Sequence, residues 1–505
     1  MPGSRIKSNQ VACLLALIQW LVMDPVYAQK KEEMSHPMNI LFIAVDDLRP
    51  SLGCYGDAKA VTPNIDQLAD GSMVFMNAYC QQAVCNPSRA SMLTGLRPDQ
   101  IQVTDLGTHF REKRPEVVTL PQIFKEEGYQ SVGIGKVFHG SAKAQDEPSW
   151  SEPVEYAISV KEDEYYLPEN RQGGKAAATE AANADDEVYE DGKIVERGIE
   201  WLQKFKRTDA PFFLALGFKK PHLPFCAPQE YWDLYQRTDF SLLPNQNKPK
   251  EAPGLAFHHW EELRGYADIP KQGSLAPEKE QELWHGYYAC VSYVDAQIGR
   301  VLQTLEELGV KENTIVVVWG DHGYHLGEQQ LWAKATNFEL DTRIPLLISV
   351  PSVTRNGAKT KAIVEAVDLY PTLISLCGIK AQQTLAGNDL TPLLENPSQP
   401  GEQVAFSQFG RPYAALFNTP ATHMGYTVRT SEWRYTAWFN LKSGKVDEQE
   451  LYAMDTELVE QKNLHGLPEF VEQESQLREW VIEYKNGEYK KTTDATAGKK
   501  SQNQK

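Results

Sequence analysis

The sequence predicts an α/β fold with a large, mainly parallel sheet flanked by helices and a smaller antiparallel α+β domain toward the C-terminus. Three observations carry this. Four apolar, β-branched or aromatic runs end in polar residues, as strands buried on both faces of a parallel sheet do: NILFIAVDD from Asn39, YQSVGIGKVFH from Tyr129, PFFLALGFKKPH from Pro211 and TIVVVWGDHG from Thr314. Helical patterns from Val195 to Lys206 and from Pro277 to Leu308 lie between them, so strands and helices alternate. Past VDLYPTLISLCGI, a helix ending at Gly378, the texture turns to short alternating strands such as GYTVRTSEWRYTAWF.

The 505 residues exceed what one small core needs, and the chain is expected to divide four ways. Residues 1–28 read as a signal peptide, with Arg5 and Lys7, an apolar run from Val11 to Met23, and Val26-Tyr27-Ala28 before Gln29. That run is too short to span a bilayer comfortably, so a protein exported to the periplasm or the exterior is expected. Residues 36–395 form the main domain, and residues 396–489 a small domain closed by a helix from Pro468 to Lys485. Residues 490–505 are a polar tail without apolar residues enough to fold. Between Lys143 and Asp191 the pattern dissolves into acidic, Gly- and Ala-rich sequence, read as a surface insertion.

A formal net charge of −17 argues against a nucleic-acid partner, since phosphate binding needs clustered Lys and Arg. Any anionic substrate must be held by local positive charge. The two N-x-S strings, at Asn86 and Asn396, have proline in the middle, which blocks glycosylation and favours a bacterial envelope protein. The cysteines are too scattered to show a disulfide framework.

In open α/β sheets ligands gather beyond the carboxyl ends of the strands, where the polar ends of the four runs fall. Asp46 and Asp47 end the first run, and Asp321 and His322 end the last. Three carboxylates and an imidazole make an oxygen-rich set suited to a hard divalent cation. An Asp-Asp pair alone is usually a solvated turn, but a second acidic strand end reverses that weighting. CNPSRASMLTG, Cys85 to Gly95, opens a helix expected to begin at Ser88. Arg89, four residues after Cys85, shares its helical face, and the helix N-terminus adds a positive field. Taken alone, Cys85 would be a buried small apolar residue and Arg89 a surface charge. GKVFHG supplies Lys136 and His139, GFKKPHLPF supplies His222, and LWAKATNFE supplies Lys334. Lys219 and Lys220 read more safely as solvated lysines.

The strings VDD, CNPSR, GKVFH, KKPH, DHG, LGE, WAK and RIPL occur in an order that resembles the formylglycine-dependent (type I) sulfatases over nearly the whole mature chain. Asp321-His322, where many sulfatases have Asp-Asn, points to the iduronate-2-sulfatase-like branch. The resemblance implies an alkaline-phosphatase-like fold. It also implies that a formylglycine-generating enzyme oxidises Cys85 to 3-oxoalanine, whose hydrate attacks sulfur through one hydroxyl and expels sulfate through the other. Ca2+ would be held by Asp46, Asp47, Asp321, His322 and an oxygen of the modified Cys85. Arg89 would face the aldehyde, Lys136 and Lys334 would contact the sulfate, His139 would help deprotonate the hydroxyl, and His222 would protonate the leaving sugar oxygen. The implied substrate is a sulfated oligosaccharide with a terminal 2-O-sulfated uronic acid, from a glycosaminoglycan or an algal polysaccharide. Choline sulfatase, phosphate or phosphonate ester hydrolysis, and a non-catalytic glycan binder with unmodified Cys85 are the rival readings. After DHG the family pattern has an aromatic and then a small residue; Tyr324 fits and His325 departs, so His325 either reshapes the substrate pocket or is an unrelated surface residue.

Overall fold

Asn39–Val45 (β1) is buried along its whole length, and the rest of the main sheet assembles around it. The computed structural model describes residues 37–140, 142–156, 164–171, 174–208, 210–240, 246–354, 357–454 and 460–489. The expected signal peptide and polar tail lie outside the described residues. The other sheet strands are Met73–Tyr79 (β2), Gln130–Gly135 (β3), Phe212–Phe218 (β4), Thr314–Gly320 (β5), Arg343–Ile344 (β6), Leu346–Ser349 (β7) and Ala358–Glu365 (β8). Their order is β6-β2-β7-β5-β1-β4-β3, with β8 also paired to β2.

The four runs read from sequence form the parallel block β3-β4-β1-β5. Register places Val45 beside both Phe218 and Gly320, and Gly135 beside Gly217, so all four polar tails leave the sheet at one edge. The other half of the sheet is mixed. β7 runs antiparallel to β5 and β2, β6 runs antiparallel to β2, and β8 is parallel to β2.

Cys85–Thr94 (α1) starts at Cys85 itself, three positions before Ser88, because Val84 is extended (φ −159°, ψ 144°) and hands the chain directly to the helix. Every residue of α1 is buried, and Gly95 ends it in the left-handed region at φ 67°. Glu190–Thr208 (α2) and Pro277–Glu307 (α3) match the two expected helices, and Leu369–Leu376 (α4) ends just before Gly378.

The stretch from Lys143 to Asp191 is not only a surface insertion. Thr179–Ala182 pairs in parallel with Phe225–Pro228, and Tyr165, Ala178, Ala182 and Tyr189 enter the main core. Buried Glu180 anchors it, accepting from the backbone N–H groups of Tyr166 and Leu167, from Asn170 and from the Tyr189 hydroxyl.

Ala405–Arg411 (β9), His423–Arg429 (β10), Trp433–Asn440 (β11) and Val446–Ala453 (β12) form an antiparallel meander, against which Val471–Lys485 (α5) packs Leu477 and Val481. These four strands make a sheet of their own, apart from the main one. β9 is stitched to the loop ahead of Cys85, with Ser407 Oγ donating to Cys80 O at 2.6 Å and Gln408 N to Gln81 O at 2.8 Å.

Candidate active site

The strand ends meet at the first residue of α1. Cys85 Sγ lies 3.3 Å from Asp46 Oδ1, 3.4 Å from His322 Nε2 and 3.6 Å from Lys136 Nζ. Ligand-type atoms of Asp46, Cys85, Asp321 and His322 all fall within 4.8 Å of one another, and all four residues are buried.

Arg89 is the brace of this cluster and is fully buried. Its Nε donates to Asp321 Oδ2 at 2.8 Å, Nη2 lies 3.4 Å from Asp46 Oδ1, and Nη1 donates to the carbonyls of Lys136 and Val137. One guanidinium therefore ties β1, β5 and the turn after β3 to α1. Ser88 Oγ adds a bond to Asp321 O at 2.5 Å. Lys136 is ion-paired to Asp46. Burial pushes the Asp46 carboxyl up, but Lys136, His222, Arg89 and Lys334 outweigh it and hold the group well below the usual carboxylate range.

Asp47 borders the cluster in a left-handed turn at φ 58°, its N–H donating to Asp321 Oδ1 at 3.1 Å. Its Oδ2 accepts from Lys334 at 3.0 Å, while its Oδ1 lies 3.4 Å from His322 Nδ1 and is buried without a hydrogen bond. Burial pushes Asp47 up to about 7, against the pull of Lys334 and His222. Burial alone would lower His322, but Asp321 and Cys85 raise it to about 10. An orphaned buried carboxylate oxygen, a carboxyl pushed toward its neutral form, and three acids converging beside an imidazole fit a divalent cation, which would supply the missing partner and keep all three acids ionised.

His139 lies three residues past Lys136. Its Nδ1 is buried without a hydrogen bond, and burial, reinforced by Lys136, lowers the ring to about 3. His222 lies on the loop after β4, with Nδ1 2.6 Å from Leu223 O and Nε2 3.1 Å from Glu262 Oε1. Lys334 Nζ bonds the same Glu262 oxygen at 2.8 Å. Glu262 is the residue that sequence reasoning missed. Its segment, HHWEELRG, ends no strand, and only the local run of His and Glu could have flagged it.

Two other expectations resolve differently. Lys219 pairs with Glu164 at 2.8 Å, and Lys220 is buried with Nζ on Pro224 O, so neither faces the Cys85 cluster as a solvated lysine. His325 is neither on the surface nor in the pocket. It is fully buried between Asp341 (2.6 Å) and Gln329 (2.9 Å), where it braces the segment carrying Lys334.

A family model described as Sulfatase matches residues 38–379, and one described as N-sulphoglucosamine sulphohydrolase, C-terminal matches residues 327–487. The chain belongs to the sulfatase family. It is therefore a sulfuric ester hydrolase, and members of this family generally use a formylglycine and a divalent metal. The sulfatase is 35% identical to Iduronate 2-sulfatase of Mus musculus over 85% of this chain and 91% of that protein. To Iduronate 2-sulfatase of Homo sapiens it is 34% identical over the same shares. Among solved structures, the phosphonate monoester hydrolase from Silicibacter pomeroyi superposes with a TM-score of 0.73 at 21% identity, covering 90% of this chain and 96% of that one. These likenesses establish the alkaline-phosphatase-like fold. No helix among the described residues is long and apolar enough to cross a membrane.

Proposed function

We propose that this sulfatase removes the 2-O-sulfate of a terminal uronic acid, iduronate first, from a glycosaminoglycan or algal polysaccharide. The observation that carries the reading is the convergence of Asp46, Lys136 and His322 on Cys85 Sγ within 3.3–3.6 Å. The uronate rests on the 34–35% identity to the iduronate 2-sulfatases. Export through residues 1–28 and division into domains at residues 36–395 and 396–489 belong to the same proposal.

Asp46, Asp47, Asp321 and His322, with the Cys85 side chain, would hold Ca2+. Cys85, converted to formylglycine by a generating enzyme, and the ion would together supply an activated oxygen nucleophile and neutralise charge on the sulfate. The chain's own groups do the rest. Arg89 fixes Asp46 and Asp321 at the spacing the site needs, and the Lys136 and Lys334 ammonium groups attract and orient the sulfate oxygens. His139, neutral in the fold and with a bare Nδ1, would help deprotonate the hydroxyl once the sulfate's charge offsets that of Lys136, which lowers the ring in the free enzyme. His222 donates from Nε2 to the leaving sugar oxygen, because its Nδ1 is committed to Leu223 O.

The test joins mass spectrometry of the Cys85 peptide to sulfate release from 2-O-sulfated uronate disaccharides, choline sulfate and a phosphonate monoester. The expected result is a formylglycine mass with the disaccharides as the fastest substrates. An unmodified thiol in active protein, or faster choline sulfate or phosphonate hydrolysis, would overturn the reading.

A further inference from the structure

Glu262 lies where the proposed chemistry has no use for a negative charge. A single oxygen, Oε1, receives Lys334 Nζ at 2.8 Å and faces His222 Nε2 at 3.1 Å. Those are the two groups assigned above to a peripheral sulfate oxygen and to the leaving oxygen. The carboxylate is largely buried, with its side chain 13% exposed. Burial would raise Glu262, but Lys334 above all holds it well below the usual range, while burial and the same Lys334 lower the His222 ring, so the carboxylate stands there charged on account of the lysine.

Two simpler roles fail on geometry. Asp47, His222 and Glu262 could be read as a second metal site, since their ligand atoms lie within 4.8 Å of one another. Lys334 already provides the positive charge at that point, bonding Asp47 at 3.0 Å and Glu262 at 2.8 Å. Nor does Glu262 act as the orienting acid of an acid–histidine pair, which holds one ring nitrogen while the other faces the substrate. Here His222 Nδ1 faces the carbonyl of its own neighbour, Leu223, at 2.6 Å and can only donate to it. Nε2 is therefore the sole nitrogen that can serve an ester, and Glu262 covers it.

We propose that Glu262 is an internal stand-in for the substrate: its Oε1 takes the place of the ester between Lys334 and His222, and a sulfate ester binds by displacing it. The inference rests on the roles proposed above for Lys334 and His222. The exchange keeps Lys334 Nζ bonded on two sides in the free enzyme, where the buried ammonium would otherwise be left with Asp47 alone. It also sets a selection rule, since a ligand must bring negatively charged oxygen to Lys334 in exchange for the carboxylate, as a sulfate ester does and a neutral sugar does not. The displaced carboxylate has a destination. Lys175 Nζ donates to the backbone carbonyl of Glu262 at 3.3 Å and sits 4.7 Å over the Tyr266 ring, at the exposed rim.

The test is calorimetric titration of inorganic sulfate, a product of any sulfatase, into the metal-loaded, formylglycine-bearing enzyme and its Glu262→Gln and Glu262→Asp variants. KM and kcat for a sulfate ester are measured alongside. Removing the competing charge should tighten sulfate binding about tenfold in Glu262→Gln and lower KM with it, whereas Glu262→Asp, which keeps the charge on a shorter arm, should tighten it less. Sulfate binding in Glu262→Gln that is unchanged or weaker, or equal tightening in Glu262→Asp, overturns the proposal. A wild type that neither binds sulfate nor hydrolyses esters sinks the proposed function and this inference together. A working wild type with a Glu262→Gln variant that binds no tighter sinks this inference alone.

Discussion

His139 is neutral in the fold although it lies among charged groups, and that leaves a signature in stability. Burial first, then the positive charge of Lys136, lowers its ring from an ordinary 6.5 to about 3. As pH falls through 6.5 the unfolded chain takes up a proton that the folded chain refuses until about 3. The contribution is therefore full above that window and lost through it, with a slope approaching about 1.4 kcal/mol per pH unit. Denaturant unfolding at several pH values between these limits should show a shallower acid decline for His139→Gln than for the wild type. Parallel declines would mean that the ring titrates normally. At this scale much of the site is legible in sequence, because Asp46, Asp321, Lys136 and His222 each follow an apolar run whose end announces them. Glu262 and the true setting of His325 are not. The first sits on a loop with no periodic frame, and the partners of the second, Asp341 and Gln329, are fixed only by tertiary packing.

Among elements, the parallel block does the positioning, and its tolerance is tightest where β3 and β4 end side by side. A Cβ on Gly217 would lie 2.1 Å from the carbonyl carbon of Lys136 and 2.4 Å from Val137 N, both backbone atoms that cannot swing aside. Lys136 N also bonds Gly217 O at 2.7 Å, so the two strand ends are drawn together at that point. Gly217→Ala must push the turn carrying Lys136 away from Asp46, and Arg89 loses its grip on the Lys136 and Val137 carbonyls. We expect a loss of about 1–3 kcal/mol of stability, as for an overpacked core, with turnover falling further than stability alone explains. Thermal unfolding and sulfate-release rates below the melting range check it, and wild-type values in both would refute the account. The four block strands are readable because each is a long apolar run buried on both faces. β6 and β7 are too short, at Arg343–Ile344 and Leu346–Ser349, to register as separate strands, so these two members of the mixed half are hidden from pattern reading.

For the whole molecule the question is what binds these elements into one unit at the site. Asp46, Asp47, Asp321 and Glu262 meet Arg89, Lys136 and Lys334 there, so charge is nearly balanced within a chain whose formal net charge is −17. The balance still leaves Asp47 Oδ1 unpaired and its carboxyl pushed up to about 7 by burial, a fault that an ion at the end of β1 and β5 would repair. A ligand that binds only the folded state stabilises by its mass action, about 2.7 kcal/mol at a hundredfold excess over its dissociation constant. Chelation should therefore lower the melting temperature by a few degrees as well as suppress turnover, and adding Ca2+ should restore both. The paired readout matters because turnover alone can fall for other reasons in the assay, whereas a lowered melting temperature reports an ion bound to the folded protein. If excess chelator changes neither stability nor rate, the oxygen-rich cluster beside Cys85 is held by its lysines and arginine alone, and the proposed cation site is wrong.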